Sequence, residues 1–117
     1  MKNRDFLRNV MTAAVENGLG WATIDHLCRV SKLVAAFGVT DAKGTWDGSE
    51  PWKEINADSV CLAIEKIIGK GTSVADWQRR DIASAYFKAD FSLIDARLAD
   101  IIIQVAATGN VITERSH

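Results

Sequence analysis

Apolar side chains recur every three or four positions near the start of the chain: Phe6, Leu7, Val10, Met11, Ala14 and Val15. That spacing draws one stripe along a helix, so residues 3–17 are predicted helical. Gly18 and Gly20 follow, with Asn17 beside them, and stop it. The period then drops to two. In WATIDHLCRV, Ala22, Ile24, His26, Cys28 and Val30 fall on one side, and Trp21, Thr23, Asp25, Leu27 and Arg29 on the other, as in a strand. LVAAFGVT gives a second strand through Leu33, Ala35, Phe37 and Val39. A helix over about 24–36 is the rival reading. Strands are preferred because Trp, Thr, Ile and Val are frequent here and no helical stripe is as clean as the first.

Turn chemistry fills DAKGTWDGSEP, with Gly44, Asp47-Gly48, Ser49 and Pro51, so 41–51 is expected to be a mobile loop. PWKEIN can make a short third strand, where Pro51 suits a first or edge position. Asn56 or Asp58 caps a second helix whose stripe is Val60, Ala63, Ile64, Ile67 and Ile68. A third helix is expected to start from Thr72 or Ser73, with Asp76 in its first turn and Trp77, Ile82, Ala85 and Tyr86 as its apolar side. After the connection KADFS, a fourth helix carries Ile94, Leu98, Ile101, Ile102 and Val105 in register and closes at Gly109. Val111 and Ile112 can add one short last strand. The sum is an α+β fold: four helices packed on a small antiparallel sheet of about three strands, in one compact domain over residues 1–117.

Composition supports a single globular core. The 117 residues are about half hydrophobic and a quarter charged. Fourteen basic and fifteen acidic residues nearly cancel, so long-range attraction to phosphate is missing and nucleic acid is an unexpected partner. Near-neutrality leaves self-association, such as a homodimer, as a mild expectation. The longest apolar run, IIIQVAA, is too short to span a bilayer, so no membrane is expected. The first residues read as an amphipathic helix rather than a signal peptide, which makes cytoplasm the default location. Cys28 and Cys61 are then expected as reduced core residues.

Four stretches resemble chemical motifs. IGKGTS lacks the upstream glycine of a phosphate loop, and Lys70 is followed by Gly71, so it reads as a helix end and a cap. The helices around it could pass for a helix-turn-helix, but Asp76 would repel phosphate near the N-terminus of the second. Asp25, His26 and Cys28 are close in sequence. On a regular strand His26 and Cys28 share an apolar face while Asp25 points away, so a buried structural pair outweighs a nucleophile with its base. Two such ligands fall short of a zinc site, and neither a metal nor another cofactor is expected. Asp95 fits a helix cap; it diverges from Asp100 by about 140° around an ideal helix, which serves no shared acid–base role. Gln104, four after Asp100, can hydrogen-bond to it on the same face.

DARLADIIIQVAATGNVIT, preceded by a GWA strand, a turn-rich insert and an INADSVCLAIEKII helix, resembles a family of small uncharacterised proteins encoded by bacterial phages, plasmids and other mobile elements. The matching residues are Asp95, Ala99, Asp100, Gln104 and Gly109. The chain departs from the pattern at Ile112-Thr113, where an aromatic is usual. The resemblance implies a mobile-element context and no catalytic residue.

These readings favour a non-enzymatic accessory protein that binds an unknown protein partner or itself. Its candidate contacts are Trp46 and Trp52, because tryptophan is enriched at binding hot spots. Trp52 is expected to lean on the sheet and Trp46 to be the more exposed. The alternative is a small ligand-binding domain or enzyme with a pocket between sheet and helices, for which His26 is the candidate residue.

Overall fold

The computed structural model describes residues 4–41, 52–109 and 111. Trp46, most of the turn-rich segment and Ile112 lie outside them.

Four helices and one three-stranded antiparallel sheet form an α+β fold. Helix α1 (Arg4–Asn17) leads into β1 (Ala22–Val30) and β2 (Leu33–Asp41). Strand β3 (Trp52–Asn56) runs directly into α2 (Ala57–Ile68); α3 (Asp76–Lys88) and α4 (Ala96–Thr108) follow, with a 3-10 turn at Phe91–Leu93 between them. The sheet order is β1-β2-β3. A two-residue loop, Ser31-Lys32, closes the first hairpin, with Ser31 at φ 58°. Positive φ at the first loop position matches the right-handed twist of the flanking strands.

The helices gather on one face of the sheet. Helix α1 packs on β2, and α2 and α4 pack on β3. Val34, Phe37, Val39 and Ile55 point into that layer and are buried. Thr12 of α1 ties the layers together: its hydroxyl donates to the Arg8 carbonyl and accepts the Val34 N–H, both at 2.8 Å. That amide lies where the β1–β2 register jumps, between the Cys28–Ala36 and Arg29–Val34 pairs, so a side chain satisfies a group near the break in the ladder.

Helix α4 is buried on every side from Leu98 to Val105, as expected of a helix at the centre of a core. The Asp95 side chain caps it through the Leu98 N–H at 2.8 Å, and Gly109 ends it at φ 90°. Two polar side chains lie inside, Asp100 and Gln104. The Trp21 indole N–H donates to Asp100 Oδ1 at 2.7 Å, and Gln104 Nε2 donates to Oδ2 at 3.1 Å. The expected Asp100–Gln104 pair therefore exists, but in the core and with a third member. Asn56 caps α2 in a reciprocal capping box with Ser59.

Four expectations need correction. Helix α3 starts at Asp76 with Ala75 as its uncapped N-terminal residue; Thr72 instead turns its hydroxyl to the Val74 N–H, two residues on. Trp77 is 47% exposed rather than part of the apolar side. It lies five residues before the buried Ile82, about 140° around the helix. Cys28 is exposed and outside the core, and Cys61 is half-buried; both are free thiols. Val111 is not in a strand.

Candidate functional site

The outer face of the sheet carries the candidate site. Paired residues of neighbouring strands share a face, so the register places Thr23, Thr40 and Trp52 in one row and Asp25, Gly38 and Glu54 in the next. Cys28, Ala36 and Asn56 form a third. Among the described residues no helix covers these rows.

An irregularity in β1 shapes the centre. Regular pairing holds from Ala22 to Asp25 and is broken between Asp25 and Cys28. His26 sits there with φ 51°, in the left-handed region. Such a conformation costs a non-glycine residue on the order of 1 kcal/mol and needs support from its surroundings. Here it turns the chain so that consecutive side chains meet: His26 Nδ1 lies 3.0 Å from Asp25 Oδ1. The expected strand geometry, with Asp25 pointing away from His26 and His26 buried beside Cys28, is thereby overturned. The His26 side chain is 78% exposed.

Trp52 comes from the other edge of the sheet. Its Cα pairs with Thr40, yet its indole extends over Gly38 and donates from Nε1 to Asp25 Oδ1 at 3.2 Å. The ring therefore crosses β2 and is tethered on β1, leaning on the sheet as expected. A Cβ at position 38 would meet Asp25 Oδ1 and come within 2.6 Å of Trp52 Nε1. The bare glycine Cα is what lets the indole and the carboxylate come this close; the backbone angle does not demand glycine. The His26 and Trp52 rings stand edge to face with centroids 6.2 Å apart. Trp52 stays 43% exposed although its indole N–H is bonded to Asp25.

These residues border an open pocket of about 420 Å³ lined by His26, Ala36, Phe37, Gly38, Trp52 and Glu54. It lies on the outer face of the sheet, not between sheet and helices. The hydrogen bonds from His26 and then Trp52 hold the Asp25 carboxyl below its ordinary value of 3.8. Glu54 has no hydrogen bond or ion pair among the described residues. The site thus combines two carboxylates, two aromatic rings and an open floor. It brings together His26 and Trp52, candidates from separate strands, and adds Asp25, Gly38 and Glu54. Gly38 inside an apolar strand was a readable sign of close approach; the Asp25-His26 pair, two residue types that tolerate turns and positive φ, was a weaker sign hidden by the alternation around it.

Among the described residues no group of three or more His, Cys, Asp or Glu side chains is placed to hold a metal ion. No described helix is long and apolar enough to cross a membrane. Comparison with known proteins finds no family model, no curated protein and no solved structure that matches the chain.

Proposed function

We propose that this chain is a non-enzymatic, cytoplasmic accessory protein of a mobile genetic element that binds a protein partner or a second copy of itself through the outer face of its sheet. One observation carries the reading: Trp52 is fixed over Gly38 by the Asp25 carboxylate yet leaves nearly half its surface to solvent. A rigid, half-exposed tryptophan loses little side-chain entropy on contact and offers a large area to desolvate, as hot-spot residues do. The mobile-element context rests on the resemblance of the C-terminal helix. A small-molecule site is the second reading, favoured by a pocket volume within the usual range for ligand sites.

The test is affinity capture from the native host with the wild-type chain and Trp52→Ala side by side, with the solution mass of each measured by light scattering. The reading expects one stoichiometric partner, or a dimer mass, that Trp52→Ala loses while remaining folded. Equal capture and equal mass for both proteins would remove its support.

A further inference from the structure

We infer that the outer-face pocket receives an arginine side chain of the protein partner, its guanidinium lying against the Trp52 ring and paired with the Glu54 carboxylate, with the Asp25 carboxylate adding negative charge nearby. This deepens the proposed function and rests on it.

Charge complementarity fixes the sign of the occupant. Asp25 and Glu54 both pair with Gly38, one from each side, so two carboxylates flank a residue with no side chain. Asp25 Oδ1 is taken by His26 and Trp52, while no described residue bonds Glu54. Among the described residues no Lys or Arg lines this pocket. Lys53 belongs to the opposite face by strand alternation, and Arg29 donates to the Lys32 carbonyl. An anionic ligand would meet repulsion, and a neutral apolar one would leave Glu54 facing it without a partner.

The aromatic wall narrows the class further. A cation over an indole face is attracted by the ring quadrupole, and tryptophan is the best of the three rings for this. A planar guanidinium can stack on that ring and still present edge N–H groups to carboxylates. An ammonium satisfies the charge but cannot stack as a plane. The positive φ of His26 also fits a recognition role, because it places the imidazole against Trp52 and Asp25 and braces both.

The test titrates the full chain, labelled with 15N, with three capped tripeptides, Gly-Arg-Gly, Gly-citrulline-Gly and Gly-Lys-Gly, and with free arginine. The readouts are the Trp52 indole and Gly38 amide resonances. Citrulline matches arginine in shape without its charge. The inference expects saturable shifts for the arginine peptide at concentrations on the order of millimolar, as befits one anchor residue. The citrulline peptide should bind at least about threefold more weakly, and added salt should weaken the arginine peptide but not the citrulline peptide. Glu54→Gln, a change at an exposed side chain, should weaken the arginine peptide by a similar factor. Equal binding of citrulline and arginine, no effect of Glu54→Gln, or tighter binding of the lysine peptide would each overturn the arginine assignment. Tighter binding of free arginine would overturn the protein source and make this a small-molecule site. Partner capture that depends on Trp52 but not on Glu54 would sink this inference alone; capture independent of Trp52 would sink the proposed function beneath it.

Discussion

Replacing Trp21 with phenylalanine tests the buried polar network where its energy is concentrated. Trp21 is 3% exposed, and its indole N–H reaches Asp100 Oδ1 at 2.7 Å. That length belongs to a charge-assisted hydrogen bond. Phenylalanine keeps an aromatic ring in the site but removes the donor and part of the ring. A hydrogen bond to a charged group contributes about 1.5–3 kcal/mol, and Asp100 retains Gln104 on its other oxygen. Lost ring packing adds on the order of 1 kcal/mol. The expected loss is therefore about 2–4 kcal/mol, a large share of the roughly 6–18 kcal/mol typical of a domain this size. Urea unfolding followed by far-ultraviolet circular dichroism reads it without relying on tryptophan emission. With a slope of about 2 kcal/mol per molar, the midpoint should fall by roughly 1–2 M. In an Asp100→Asn background the same substitution should cost at least about 1 kcal/mol less, because the pair acts as a unit. A loss under about 1 kcal/mol, or full additivity of the two changes, would refute the network as an energetic feature.

Three further outcomes follow from the geometry. Leu98→Ala, in the buried centre of α4, should cost about 2–5 kcal/mol through the cavity it leaves, and urea unfolding checks it. Tyr86, the one tyrosine in the chain, hydrogen-bonds with Cys61 Sγ at 3.5 Å; this contact and then burial push its phenol up to about 12. An absorbance titration near 295 nm should thus find a midpoint near that value and a lower one in Cys61→Ala; because the folded state keeps the proton longer, the associated stability is whole below pH 10 and is lost as pH rises through about 12. Asp25 should titrate below 3.8 in a carboxyl-detected NMR titration and move up in His26→Ala or Trp52→Phe; its contribution to stability is present above 3.8 and disappears as pH falls through the lower folded value.

The elements were legible because periodicity and stop signals agreed. The stripe from Phe6 to Val15 and the Asp95 and Gly109 boundaries of α4 each set their segment without help from tertiary contacts; in β2 the alternation holds at Phe37 and Val39, but the register shift buries Val34 in place of Leu33 and Ala35. Local signals competed where the reading failed. Thr72 and Ser73 are good caps in isolation, but Thr72 bonds within its own turn, and α3 begins four residues beyond it. Trp77 was assigned by its chemistry, whereas its angular distance from Ile82 decides its exposure. In β1, unbroken alternation concealed a left-handed residue that reverses one side chain and exposes His26 beside Asp25. The long-range bonds from Trp21 to Asp100 and from Trp52 to Asp25 span 79 and 27 positions, separations that no periodicity encodes. An aspartate and a glutamine within the apolar run of α4 were the visible trace of the first.

Gly38→Ala tests the central claim, that the Trp52 face of the sheet is the binding surface, with the least disturbance to the fold. Its φ lies outside the left-handed region, and the nearest atoms to the new methyl group belong to the Asp25 carboxylate and the Trp52 indole, which must move to admit it. The variant should keep its stability to within about 1 kcal/mol. The Trp52 indole proton should shift as it leaves Asp25, and partner capture or dimer mass should be lost. A displaced indole accompanied by undiminished binding would contradict the claim.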